Sequence, residues 1–593
     1  MKSWQLPGFF YAPACPGNRG FSIFVTLYHN PHHMTDNNFI ADQFSLLSKL
    51  MDIHGENSFK SRSYATAAFT IEKLPMQAAD TDPQELARVR GIGDSAARKI
   101  AEILETGKMA QLEEILLQTP PGVLEMLQVK GIGPKKISTI WKEMEIESLG
   151  ELLYACQENR LLHFKGFGEK TQRNIQEAIE YYMQNQGSFL YAEVFAFYPS
   201  ILTYLQQQFS ADGVAVTGDF RRQHPVIDAL EFVVAQPIDK IKQAFQTAQP
   251  PQLLEETTDK VTYKLRNGLV LRLYSAKKHF GARLLETTGP VSFTDKFRTL
   301  FPGAWATSAG SVTEETLFST AGLPFIPPYL RDIDGVLARS TAHESVITEA
   351  DIKGIIHTHS NWSDGSQTIE EMAETAIAKG FEYLVISDHS KSAFYANGLK
   401  EDRIREQHRQ IDSLNAKYAP FKIFKSIECD ILNDGSLDYS NDVLATFDLV
   451  IASVHSNLKM TEEKAMQRLL AAINNPYTTI LGHVTGRLLL SRKGYPVDHK
   501  KIIAACAEAE VVIELNAHPR RLDMDWTWIP EAMEKGVLIS IDPDAHATSG
   551  FDDCRFGVLA AQKGGLAAER NLSSFSLARF EQFVKARKKT KGI

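Results

Sequence analysis

Imidazoles and carboxylates concentrate in the segment from Asp351 onward. They occur as His357-Thr358-His359, Asp364, Asp388-His389, Glu428, His455, His483 and Asp542-Pro543-Asp544-Ala545-His546. His357 and His359 are two residues apart, which on a strand points both to one face. One buried histidine is ordinarily a hydrogen-bonded core residue. Six of them with three of the carboxylates read instead as a ligand set. Mixed imidazole and carboxylate donors suit Mn, Zn or Fe better than Mg or Ca. Nine ligands are too many for one ion that keeps an open position, so two or three divalent transition metals are expected, Mn first among them. Metals so close together clamp a phosphate, acidify a bridging water and stabilise a leaving oxygen. The expected reaction is hydrolysis of a phosphoester, with these nine residues as catalytic centre and metal ligands.

Seven apolar, β-branched runs must position these groups: Ile352–His357, Tyr383–Ser387, Lys422–Glu428, Leu449–Val454, Thr479–Gly482, Val511–Leu515 and Val537–Ile541. Amphipathic helices at Ile369–Lys379, Asp402–Tyr418, Thr461–Asn474 and Lys500–Ala509 separate most of them. Repeated β-α units predict a parallel barrel, with chemistry at the strand C-termini. Six of the seven runs deliver His, Asp or Glu to that end, in the run's last residue or just beyond it. The segment resembles the PHP (polymerase and histidinol phosphatase) domain, and the resemblance implies the nine ligands: His357, His359, Asp364, His389, Glu428, His455, His483, Asp544 and His546 fill all of that family's positions. Val484 and Pro543 depart from the usual neighbours without removing a ligand. Asn516 follows the sixth strand, as in that family. Arg487 is a candidate for holding a substrate phosphate, and His518 and Arg520-Arg521 for lining the rim.

The first third is helical, with three similar breaks: Val89-Arg90-Gly91-Ile92-Gly93, Val129-Lys130-Gly131-Ile132-Gly133 and Phe164-Lys165-Gly166-Phe167-Gly168, each followed by a helix carrying basic residues. Glycines permit the tight turn and a close approach of backbone to a ligand. The exposed N–H groups of the next helix suit a phosphate oxygen. Gly91, Gly93, Gly131, Gly133, Gly166 and Gly168, with Lys135, Lys136 and Lys170, are the candidate DNA contacts. A single copy could merely end a helix, whereas three copies resemble the helix-hairpin-helix motif, which grips DNA without reading its sequence. Upstream, Gly55–Pro75 resembles the small N-terminal domain of family X DNA polymerases. Lys60 and Arg62 are candidate phosphate contacts there. Lys73 falls where some members carry a Schiff-base lysine, a role that requires a partly neutralised amine; a solvated lysine at a helix end is the other reading.

Residues 187–335 continue the family X resemblance through Val216–Arg222 and the strand Val226–Val234. Phe280-Gly281-Ala282, Thr287-Thr288-Gly289 and Gly322–Pro328 extend it. Two-metal nucleotidyl transfer needs carboxylates on one strand face. Here those positions hold Ala229 and Glu231, with Val270 where a third Asp is expected, and Asp219 replaces the serine of the triphosphate-binding turn. Loss of polymerase activity is the expectation; an active but unusual polymerase is the alternative.

The chain has 593 residues, a net charge of −8 and five scattered cysteines without a CxxC pair. This length demands several domains, and the cysteine usage suits a reducing compartment. An acidic total neither supports nor excludes DNA binding, which needs only a local basic face. The expected multidomain fold is an N-terminal all-α helix-hairpin-helix region, an α+β family X polymerase-like palm and thumb, and a C-terminal distorted (β/α)7 PHP barrel. Expected boundaries are an extension at 1–33 (a mis-assigned start or a weak signal peptide), a lyase-like domain at 34–80, hairpins at 81–186, palm at 187–290, thumb at 291–345, PHP domain at 346–575 and a basic tail at 576–593. The Lys585–Lys591 end reads as frayed and solvated. The order of parts resembles bacterial family X polymerases with a C-terminal PHP domain. That resemblance implies a Mn-dependent 3′-5′ exonuclease, 3′-phosphatase or abasic-site nuclease in DNA repair. It also implies a DNA partner bound without sequence preference at gaps, nicks or 3′ ends, and a cytoplasmic, nucleoid-associated location. A histidinol-phosphatase-type enzyme and a non-catalytic DNA-binding scaffold are the competing readings.

Overall fold

Local capping signals start the first helices of the computed structural model. Asp36 accepts from Phe39 N at 2.8 Å to open the helix Asn37–His54, and Asn57 does the same for Ser58–Glu72. The structure describes residues 36–592 apart from 158–159, 185–186, 248, 277–278, 307–312, 339–344 and 491–492. The expectations about 1–33 lie outside those residues. Two units emerge, one of Met1–Gln186 with Arg266–Gly268, the other of Gly187–Leu265 with Leu269–Ile593. The described part of the first unit is helical around one apolar core, into which each hairpin sends its central residue: Ile92, Ile132 and Phe167 are all nearly fully buried. Among the described residues no helix is long and apolar enough to cross a membrane.

The second unit holds two sheets of substance. The smaller joins β1 (Val214–Thr217), β2 (Ala229–Val234), β3 (Gln252–Glu256), β4 (Lys260–Lys264) and β5 (Val270–Ser275) in the order β1-β2-β5-β4-β3, with only β2 and β5 parallel. The strand expected over Val226–Val234 breaks at Asp228. Val226–Ile227 pairs instead with Phe189–Leu190, and Asp228 accepts from Ser188 Oγ at 2.6 Å.

The larger sheet is a run of seven parallel strands: β6 (Gly354–Thr358), β7 (Tyr383–Ile386), β8 (Lys422–Asp430), β9 (Leu449–Ser453), β10 (Thr478–Leu481), β11 (Val512–Asn516) and β12 (Ile539–Asp542). Their residues are buried almost throughout, as strands covered on both faces must be. The ring is drawn together where His359 N donates to Ala545 O at 2.9 Å and Ala545 N to His357 O at 3.2 Å. The basic tail is not frayed. It is the helix Leu577–Lys591, with Phe580 stacked on Tyr383 at 4.4 Å and Arg587 donating to Glu510 O and Thr478 O. It closes the barrel end opposite the strand C-termini.

Buried charge joins the middle segment to the barrel. Lys563 is fully buried and pairs with Asp332, which also meets Arg222 at 3.1 Å and His224 at 3.2 Å. Burial pushes the Lys563 ammonium down to about 8, more than the pull of Asp332 restores. The unfolded lysine keeps its proton to higher pH, so this group costs stability below about pH 8 and the cost is relieved as pH rises further. Comparing the melting temperatures of wild type and Lys563→Met at pH 7 and pH 9.5 tests this. The difference is expected to move in favour of wild type at the higher pH, and an unchanged difference would refute it.

Candidate metal centre

Every barrel strand except β11 carries one of the nine predicted side chains near its C-terminal end or within three residues beyond it, and the structure draws them to one mouth. Three groups have ligand atoms all within 4.8 Å of one another: His359, Asp364, His389 and His546; His357, His359 and Asp544; and His389, Glu428 and His455. His483, the ninth, reaches Glu428 Oε1 through Nε2 at 2.9 Å. Glu428 lies among five of the histidines. Its oxygens lie 3.2 Å from His357 Nε2, 3.6 Å from His359 Nε2, 3.0 Å from His389 Nδ1 and 3.1 Å from His455 Nε2.

These separations fit metal. Two ligands of one ion with bonds of about 2.1 Å sit roughly 3–3.5 Å apart. Buried polar groups normally find hydrogen-bond partners, yet His357 Nε2, both ring nitrogens of His359 and Glu428 Oε2 have none. Close approach without hydrogen-bond alignment is what a shared cation demands. The electrostatics agree. Burial opposes charge on Glu428, but His455, His357 and His389 outweigh it and hold the carboxyl well below its ordinary range. Burial, with His546 and His389 alongside, lowers His359 to about 3, leaving a neutral ring with donor lone pairs.

Outer contacts aim the ligands, as metal-site histidines require. His357 turns Nδ1 to Glu514 at 2.5 Å, His455 turns Nδ1 to Asp430, and His546 Nδ1 lies 3.0 Å from Asp544 O. Asp388 is no candidate ligand. Its carboxylate accepts from Ser360 N at 2.8 Å, Ser363 Oγ at 2.5 Å and Gln407 Nε2 at 2.6 Å, and so ties down the loop that carries Asp364. His357 (φ 60°) and Asp544 (φ 52°) adopt left-handed backbone, which is costly for such residues. The regular register between β6 and β7 breaks over Ile355/Thr358, so His357 and His359 reach the site from a bulged strand end.

Sequence reading missed Glu514 and Asp430. The available signal was a lone acid inside an apolar strand, Val512-Ile513-Glu514-Leu515-Asn516. Arg487 requires correction. Its guanidinium donates to Arg521 O at 3.0 Å, to Asp525 at 2.6 Å and to Leu522 O, so it is spent on the loop after β11. That loop carries Arg521, whose Nε lies 3.4 Å from Asp544, and Asn516 steadies the same carboxylate at 3.1 Å. Arg521, not Arg487, faces the centre.

In the middle segment the register sets Ala229 beside Val270 and Glu231 beside Arg272. Glu231 pairs with Arg272 and accepts from Tyr274 Oη at 3.1 Å, while Asp228 is exposed on another face. One neutralised carboxylate remains where a cluster is needed. Arg221 is bound to Glu314 at 2.7 Å, and Arg222 to Asp219 and Asp332.

The hairpins keep one geometry. Gly91, Gly131 and Gly166 have φ of 103°, 91° and 93°, where only glycine is unstrained. Gly93 and Gly133 cap the helices Asp94–Thr106 and Pro134–Lys142. A Cβ would meet nothing within 4 Å at Gly93, Gly131, Gly133, Gly166 or Gly168, whereas at Gly91 it would strike Thr70. Lys60, Arg62, Lys135 and Lys170 are exposed, and Lys136 is half-buried. Lys73 is exposed at the C-terminus of Ser58–Glu72, 5.0 Å over the Phe69 ring.

Comparisons with known proteins agree with this division. Residues 35–109 match the helix-hairpin-helix domain, 123–180 the SAM-like helix-hairpin-helix tandem and 356–518 the PHP domain. A probable phosphatase of Thermoanaerobacter is 27% identical over 40% of this chain and 96% of its own length. A probable phosphatase of Clostridium acetobutylicum is 36% identical over 22% of this chain and 57% of its own. The DNA polymerase/3′-5′ exonuclease PolX of Bacillus subtilis is 31% identical over 90% of this chain and 97% of the relative. With that similarity running over nearly the whole of both chains, the chain belongs to the PolX family of bacterial family X DNA polymerases with a C-terminal PHP domain.

Proposed function

We propose that this chain is a DNA-repair phosphoesterase: a Mn-dependent 3′-5′ exonuclease, extending to 3′-phosphate or abasic-site cleavage, whose polymerase segment holds DNA without extending it. The observation that carries the reading is the convergence of eight candidate ligands on one barrel mouth, in a chain that also presents hairpin glycines to open space. His357, His359, Asp364, His389, Glu428, His455, Asp544 and His546 would hold two or three divalent metals, with His483 supporting Glu428. Such ions would polarise the phosphoester and acidify water. The protein's own part is to fix the donors through Glu514, Asp430 and Asn516, and to set Arg521 beside Asp544 as a phosphate contact. Gly131, Gly133, Gly166 and Gly168, with Lys135, Lys136, Lys170, Lys60 and Arg62, would grip the sugar-phosphate backbone. The lyase role of Lys73 is left out, because that lysine is solvent-exposed.

A labelled primer-template incubated with Mn²⁺ and all four nucleotides tests both halves of the proposal. Shortening without extension is expected. Extension that disappears in Glu231→Ala would refute the reading of the middle segment. A second reading, hydrolysis of a small phosphate monoester, draws on the relatives named as probable phosphatases, which match 40% of this chain. Faster turnover of an amino-alcohol phosphate than of a recessed 3′ end would favour it.

A further inference from the structure

Two loops that leave strand C-termini carry the features of interest, one a pair of arginines and the other an exposed aromatic ring. In the ring of seven strands, β7 and β11 stand nearly opposite. The loop after β11 brings Arg520 and Arg521, locked in place by Arg487. The loop after β7 leaves from His389 and returns to it, for Leu399 N donates to His389 O at 2.9 Å. It is firmly anchored. Ser392 donates through N and Oγ to Asp438 at 2.6 and 2.5 Å, and Asn397 Nδ2 reaches Trp362 O at 3.2 Å in the loop that carries Asp364. At its tip Phe394 is 86% exposed. Single exposed apolar residues need no explanation. This one is set apart by a rigid loop that begins at a candidate metal ligand and packs on the loop of another.

We propose that Phe394 stacks on the terminal nucleobase of the strand whose phosphodiester enters the metal centre, while the arginine side receives the backbone. The residue would thereby tell a nucleotide from a bare phosphate ester. Every base has a π-face, so the contact would be blind to sequence. The inference rests on the nuclease reading and specifies its substrate.

The test compares two oligonucleotides under Mn²⁺, one with an intact 3′-terminal base and one abasic at that position. Wild type is expected to prefer the intact end by roughly tenfold or more, the scale of one base–aromatic stack. Phe394→Ala should lose that preference through a lower kcat/KM on the intact end, and Phe394→Trp should restore it. In binding without turnover, a 3′-terminal 2-aminopurine should be quenched by wild type and not by Phe394→Ala. Wild type without base preference, or Phe394→Ala that retains it, would overturn the stacking role alone. Wild type inert on both oligonucleotides would overturn the nuclease reading and the stacking role with it.

Discussion

Glu428→Ala is expected to empty the metal centre and to lower phosphodiester turnover by far more than about 100-fold. Replacing a group one contact outside the ligands ordinarily costs 10–100-fold in metal affinity or activity, and Glu428 lies inside. It is fully buried, within 3.6 Å of four candidate ligand rings and hydrogen-bonded to a fifth. No neighbour can take its place, because Asp364 and Asp544 serve other corners of the site. Glu428→Gln keeps the volume and one acceptor but loses the charge, and should behave almost as badly. Glu514→Ala, acting through His357, Asn516 and the backbone N–H of His483, should remain within the 10–100-fold range. Metal analysis beside turnover decides the matter, with circular dichroism to confirm folding. Full metal content in Glu428→Ala would dismantle the assignment of the site.

The second large effect concerns stability. Arg331 is buried with its guanidinium among the rings of Phe293, Phe318 and Phe325, at 5.5, 5.3 and 5.6 Å. It donates to Glu314 at 2.6 Å and twice to Ile326 O, at 3.1 and 2.9 Å. Arg331→Ala would leave Ile326 O unpaired and Glu314 dependent on Arg221 alone, beside a cavity in an aromatic cluster. Removing one member of a buried pair costs about 3–5 kcal/mol, which is a large share of a domain's net stability of about 5–15 kcal/mol. A marked fall in urea midpoint is expected, with Arg331→Lys intermediate. A change below about 0.5 kcal/mol, typical of an ordinary surface position, would show that the pair is dispensable.

The barrel was legible because strands buried on both faces read as unbroken apolar runs. Lys422–Glu428 and Leu449–Val454, for example, lie within two residues of the observed β8 and β9. The convergence of the candidate ligands was legible because barrel chemistry collects at strand C-termini. Residues that act through others were harder to see. Asp388 and Glu514 look like ligands in type and differ only in where their oxygens are engaged, which no spacing encodes. Arg487 misled for the same reason, since an arginine beside the site does not announce that backbone carbonyls have claimed it. The terminal helix was misjudged because its cations hide its apolar stripe. Phe580, Val584 and Arg587 recur at helical spacing and are buried, while the intervening lysines reach outward along their flexible stems.

The ring closes between its first and last strands, where Ala545 lies between His357 and His359 in hydrogen bonding. On the ribosome, His357 emerges some 190 residues before His546, an interval of roughly 10–40 s at ordinary elongation speeds. Until then Glu428 and its neighbours form an open, half-built cage. A cation that takes the whole set of candidate ligands can therefore be bound only after the ribosome has passed His546, however early the first strand has formed.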